Sequence, residues 1–203
     1  MTKQQKRGVV LILAGLVMVF CALGLHRVQE QQDVLAGENA RILLRQLELR
    51  RVSIVGQEDI PSEETKPVNT DMPEKEYLGY TMIGTLRVPS VGIELPILSS
   101  WSYDLLNVAP CRYLGSIPEE NMILMGHNYK SHFTPLHNVA VGAEVEFEDV
   151  NGVVYRYTVA EIEYLHKNDG EQLPSDYPLT LFTCTSGGQS RIVVRCEVSG
   201  SLK

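Results

Sequence analysis

Cysteine is scarce in this chain: 203 residues carry four, irregularly spaced and with no Cys-x-x-Cys pair. That excludes a disulfide scaffold and a zinc site built on paired cysteines. Basic residues are also in deficit, 18 Lys and Arg against 25 Asp and Glu for a net charge of -7. An acidic balance leaves no basic face for nucleic acid. Long hydrophobic runs are missing everywhere except at the N-terminus. The 44% hydrophobic and 21% charged fractions are those of a globular body, and the length suits one domain with appendages rather than two cores.

Lys3, Lys6 and Arg7 precede the apolar run Gly8 to Leu25. At about 1.5 Å per helical residue this run crosses most of a hydrocarbon layer roughly 30 Å thick. The basic flank predicts a cytoplasmic N-terminus with the rest outside. A cleaved signal peptide is the rival reading, but Cys21-Ala22-Leu23-Gly24-Leu25 offers no clean small-x-small site. Residues 1–27 are therefore read as basic tip and transmembrane anchor. Residues 28–51, with Leu35, Ile42, Leu43, Leu47 and Leu49 at loosely helical spacing, read as a juxtamembrane helix or stalk lying against its own domain. Residues 52–77, with Pro61, Pro67 and Pro73 among acidic and polar residues, read as a flexible linker.

The remaining residues, 78–203, alternate in the manner of short strands. Met82 to Pro89 and Ile93 to Leu98 flank a Ser90-Val91-Gly92 turn, and Glu144 to Asp149 and Val153 to Tyr164 flank Asn151-Gly152, a strong hairpin signal. Asn121 to Met125 reads as a buried strand, with a short helix over Trp101 to Val108 and a helical turn over Phe133 to Val139. The expected fold is mainly β, a closed barrel with small helices on its rim, since closure removes exposed edges.

The most informative stretch is Leu179 to Arg195. An apolar strand delivers Cys184 to its end, a Thr185-Ser186-Gly187-Gly188 turn follows, and a β-branched strand returns with Arg191 near its start. A thiol at a strand end is rigidly held yet exposed, and a neighbouring guanidinium suits the negative charge that develops when a carbonyl is attacked. The chemistry suggested is acyl transfer. Upstream, Met122-Ile123-Leu124-Met125 ends at Gly126-His127, another strand end, which makes His127 the candidate general acid and base. His127, His132 and His137 are spaced by five, do not share a helical face and have no Glu partner as in the helical zinc motif, so a metal site is not expected.

Thr180-Leu181-Phe182-Thr183-Cys184, the following Arg191 and the upstream Gly126-His127 resemble the active-site set of sortases, the cysteine transpeptidases of Gram-positive cell surfaces. The resemblance spans roughly residues 78 to 198 and implies an eight-stranded barrel. It also implies Cys184 as nucleophile, His127 as acid and base, and Arg191, with Arg195 as fallback, as oxyanion or substrate donor. Thr183 and Cys111 are further candidates for lining the peptide groove. No cofactor is implied. The implied partners are proteins bearing an LPxTG-like sorting signal and an amine acceptor, either a peptidoglycan precursor or a pilin lysine. The few cysteines then suit an extracellular enzyme that keeps one thiol reduced.

Competing readings are a cysteine endopeptidase, in which water replaces the amine, and a non-catalytic surface module. Asp71-Met72-Pro73 lacks the Asp-Pro-aromatic order of the lid in pilin-polymerising members, and the short connection 166–177 argues against the helical insertion of class B. Its Asp169, Glu171 and Asp176 read as solvated rather than as a calcium site. A fragment beginning near Glu76 is expected to be folded and active, because the residues before it supply place and reach.

Overall fold

Alternate residues of the strand carrying Cys184 belong to two different apolar clusters, because the strand is one wall of a closed sheet. The computed structural model describes residues 3–54 and 72–200. Its strands are β1 Lys75–Tyr77, β2 Tyr80–Val88, β3 Ile93–Leu98, β4 Cys111–Leu114, β5 Met122–Met125, β6 Glu144–Asp149, β7 Val154–His166, β8 Leu179–Cys184 and β9 Ser190–Val198. They run in the order β1-β2-β3-β4-β5-β8-β9-β7-β6, and β6 pairs back onto β2. Eight strands therefore close a barrel, with β1 added outside the ring. The β3–β4 and β5–β8 pairs are parallel and the others antiparallel. Closure leaves the ring without a free edge to recruit other chains.

Leu124 on β5, Leu179 and Leu181 on β8, and Ile192 and Val194 on β9 point into the barrel, with Phe133, Leu136 and Phe147 filling it. Ile123, Phe182 and Val193 point outward and form a second cluster with Leu165 and Leu173. Each such fully buried side chain contributes about 2 kcal/mol of transfer free energy. The outer cluster is small, but it floors the region where Cys184 emerges.

The β6–β7 hairpin turns at Asn151-Gly152 with Gly152 N–H donating to the Asp149 carbonyl at 3.0 Å. Asp149 Oδ1 accepts from the Asn151 and Val153 amides at 2.8 and 2.9 Å, closing the turn from beneath. The helix expected over Trp101 to Val108 is confined to α2, Tyr103–Leu106, because Ser102 caps it by accepting from Leu105 N–H at 3.1 Å. The turn after Phe133 is a 3-10 segment, Thr134–Asn138.

A single helix, α1, spans Lys3–Ile54 and contains a segment long and apolar enough to cross a membrane, mean hydropathy 1.7 with none of it buried. Its later turns lie on the barrel. The stripe that touches the barrel only partly matches the large apolar residues singled out in the sequence: Leu43 is buried there, Leu35, Ile42 and Leu49 are exposed, and Ala36 and Ala40 are buried although not singled out. Leu43 and Leu47 join a cluster with Met82, Leu98, Leu106 and Ala109. Small residues let the helix approach closely, and hydropathy counts give them little weight.

Residues 55 to 71, most of the segment read as linker and including Pro61, Pro67 and Asp71, lie outside the described residues. Its last part is structured. Met72 is buried in the barrel interior and its sulfur accepts from Ile117 N–H at 3.3 Å, while Lys75–Tyr77 forms β1 against Tyr80–Met82. The folded body thus begins ahead of residue 78.

Candidate active site

Cys184 is the last residue of β8 and is exposed. Its Cα partner across the β8–β9 ladder is Arg191. On the other side, β5 runs parallel to β8 with Met125 opposite Phe182, and Gly126 N–H extends the ladder by donating to the Phe182 carbonyl at 3.2 Å. Extending that register by two residues, past the end of β5, puts His127 at the level of Cys184. Side chains two apart share a face of a sheet. Cys184 and Arg191 therefore share the outer face floored by Phe182 and Val193, and the extended register sets His127 level with them just beyond β5.

Gly126 makes the histidine's position attainable. A Cβ there would come within 2.6 Å of the Phe133 ring, which is fully buried. The chain beyond it folds back so that Phe133 N–H donates to the His127 carbonyl at 3.2 Å. The His127 ring stacks on Tyr129 at a centroid separation of 4.6 Å, and the Tyr129 hydroxyl donates to Asn107 Oδ1 at 3.0 Å. Burial lowers the His127 pKa below its ordinary value, favouring the neutral imidazole that accepts a proton. Tyr129 was not singled out from the sequence.

The two arginines of β9 have different fates. Arg195 is buried at 2% exposure and fully engaged. Its Nε donates to Glu163 Oε1 at 2.7 Å, its Nη1 to the Leu173 carbonyl and to Ser175 Oγ, and its Nη2 to the Gln172 carbonyl at 2.7 Å. Arg195 ties the β7–β8 connection to the barrel. Arg191 is half-buried with its guanidinium carbon 6.0 Å from the Phe182 ring centroid, and its Nη1 is buried with no hydrogen-bond partner among the described residues. That nitrogen is a donor in want of an acceptor.

Thr183 and Cys111 do not join the site. Thr183 is 1% exposed and faces the barrel interior, since the residue before an outward-facing cysteine must point inward. Cys111 starts β4, is fully buried in the cluster beneath Leu43, and its thiol donates to the Ala109 carbonyl at 3.3 Å. Burial pushes its pKa up to about 12. Both side chains are buried in this structure rather than exposed along a groove. The outer face continues instead through aromatic contacts, Phe182 to Tyr113 at 5.4 Å and Tyr113 to Trp101 at 5.6 Å. These lead to a cleft of about 430 Å³ lined by Trp101, Arg112, Tyr113, Leu114 and Glu119.

His132 lies behind the site at 1% exposure, under α1, and neither ring nitrogen makes a well-formed hydrogen bond. Burial lowers its pKa to about 4; His127 acts in the same direction, while the Ala36 backbone and Asp33 oppose it. Because the folded value lies below the unfolded one, the unfolded chain binds the extra proton first. Stability is expected to be complete above about pH 6.5 and to fall as the pH drops toward 4, by on the order of 3 kcal/mol. Urea midpoints measured between pH 7 and 4.5 check this. His132→Gln should flatten the slope, and an unchanged slope assigns the loss to other groups. Among the described residues, no three His, Cys, Asp or Glu side chains are grouped to hold a metal ion.

What the structure shows is an exposed thiol at the end of β8 with an arginine opposite it on β9. The sortase family model matches residues 86–199, more than half of the chain. The chain belongs to the sortase family. Solved structures it resembles include a pilus-related sortase C of Group B Streptococcus, at 22% identity and TM-score 0.52 over 59% of this chain and 68% of that one. Sortase C1 from Streptococcus suis matches at 21% identity and TM-score 0.53, over 60% and 74%. A lid mutant of sortase A from Corynebacterium diphtheriae matches at 22% and 0.52, over 60% and 71%. No curated protein matches the chain.

Proposed function

We propose that this chain is a membrane-anchored transpeptidase that cleaves an LPxTG-like sorting signal and transfers the acyl part to an amine. The observation that supports the reading is the exposed Cys184 at the end of β8 paired with Arg191 across the ladder, with His127 level with them by extension of the β5–β8 register. Cys184 passes its thiol proton to the neutral His127 imidazole and the resulting thiolate attacks the Thr carbonyl, while the Arg191 guanidinium, with an unmatched donor, stabilises the oxyanion. The C–N bond to Gly breaks as His127 protonates the leaving amine, giving a thioester. An incoming amine, from a peptidoglycan precursor or a pilin lysine, then attacks the thioester and yields its proton to His127, which restores the thiolate. The cleft beside the site, with the Trp101 and Tyr113 rings among its lining, offers a place for the signal peptide.

Lys3, Lys6 and Arg7 before the apolar run favour a cytoplasmic N-terminus, with the barrel outside the cell membrane. Incubating the full chain with a sorting-signal peptide, with and without an amine acceptor, tests the function by mass spectrometry. A ligated product that depends on the amine is expected. Hydrolysis alone at every amine concentration would leave the endopeptidase reading in its place.

A further inference from the structure

The loop that carries His127 is held from outside the barrel. Asp33, on α1, accepts from the Ser131 amide at 3.0 Å through Oδ1 and from the Lys130 amide at 3.2 Å through Oδ2. Ser131 Oγ contacts Asp33 Oδ1 at 2.6 Å and its backbone carbonyl at 2.9 Å. Burial alone would raise the Asp33 pKa, but the Ser131 and Lys130 donors outweigh it and the net shift is downward, as a carboxylate held by several donors requires.

One turn further along α1, Gly37 faces the same loop. A Cβ there would stand 2.8 Å from Ser131 Cβ, so the helix seats only because position 37 is glycine. Ala36 and Ala40 follow at 1% exposure, and His132 is sealed beneath them. The contact is thus a carboxylate gripping two consecutive backbone amides, backed by a stripe of small residues with a buried imidazole under it. A spacer helix lying loosely on its own domain needs none of these features.

The grip sits close to the chemistry. From Ser131 the loop is braced back to the site through Phe133 N–H on the His127 carbonyl, His132 N–H on the Tyr129 carbonyl at 3.0 Å, and Tyr129 against the His127 ring. Displacing Ser131 therefore displaces the ring stack. We propose that Asp33 is a positioning residue: α1 clamps the Gly126–Phe133 loop through Ser131 and sets where His127 stands against Cys184. The inference rests on the assignment of His127 and Cys184 as acid-base and nucleophile. It also revises the expectation for a fragment beginning near Glu76, which would lose the clamp and uncover His132. From Leu25 to Asp33 is about 12 Å of helix at roughly 1.5 Å per residue, so the clamp keeps the barrel near the end of the apolar run rather than on a long tether.

The test uses the full chain in detergent micelles and the rate of Cys184 alkylation by iodoacetamide from pH 5 to 10, located by peptide mapping. The ionisable groups around His127 and its clamp are Cys184 on β8, Arg191 on β9, Tyr129, Lys130 and His132 in its own loop, and Asp33 on α1. The wild-type profile should carry an inflection that His127→Ala removes. Asp33→Ala, with far-UV circular dichroism unchanged, should move the profile toward that of His127→Ala. It should also slow thioester formation with a sorting-signal peptide, by up to about a hundredfold for a displacement near 1 Å. Asp33→Asn keeps one acceptor oxygen and should fall between. If Asp33→Ala does not fold, Gly37→Val decides, since its side chain meets Ser131 directly and should produce the same shift. Profiles of these variants that superimpose on the wild type overturn the clamp while leaving the catalytic assignment standing. A wild-type profile indifferent to His127→Ala overturns both.

Discussion

Cys184→Ala is expected to abolish cleavage and ligation together, a loss on the order of ten-thousandfold or more, as for removal of a nucleophile in other covalent enzymes. The other thiols cannot substitute. Cys111 and Cys196 are fully buried, and burial pushes each pKa up to about 12, so neither forms a thiolate near neutral pH or reaches a peptide. Cys21 lies in the apolar run of α1, remote in sequence from His127 and Arg191. Mass spectrometry of the enzyme quenched during turnover should find the acyl adduct on the peptide containing Cys184 and nowhere else. Persistent turnover in Cys184→Ala, or an adduct on Cys111 or Cys196, would end the assignment.

What could be read from the sequence near this residue was local. The apolar strand Leu179 to Thr183, the polar turn after it and the Gly126-His127 strand end each announce themselves within a few residues, and the structure has strands ending at those places. What joins them is long-range: the parallel pairing of β5 with β8, across more than fifty intervening residues, leaves no mark on either segment. The burial of the two groove candidates, Thr183 and Cys111, has separate causes. Thr183 follows from the period of two, which turns the neighbour of an outward cysteine inward. Cys111 opens a four-residue strand, Cys-Arg-Tyr-Leu, too short and mixed to show a pattern.

The helix contact was hidden for a different reason. Periodicity weights large apolar side chains, and on α1 it selected Leu43 and Leu47, which pack on the barrel, together with Leu35, Ile42 and Leu49, which are exposed. The rest of the docking face is built from Asp33, Ala36, Gly37 and Ala40, whose value lies in a short approach distance and one carboxylate. Similarly, β1 is Lys-Glu-Tyr, an addition to β2 outside the closed ring that needs backbone pairing but no buried stripe.

Arg191→Lys is expected to lower the rate of thioester formation by roughly a hundredfold or more while leaving the fold intact, because an ammonium cannot reproduce the fixed fork of a guanidinium at a developing oxyanion. The half-buried Arg191, with Nη1 unmatched and the Phe182 ring beneath it, loses little packing in the exchange. Arg195→Leu should do the reverse. It strips donors from the Gln172 and Leu173 carbonyls and leaves Glu163 without its ion pair, at a cost of about 3–5 kcal/mol in stability. Any activity loss there should track the loosened β7–β8 connection. Denaturation midpoints and single-turnover rates measured on both variants separate the roles. A stable, inactive Arg195→Lys beside a nearly silent Arg191→Lys would transfer the oxyanion role to Arg195, against the full set of bonds that now occupies its guanidinium.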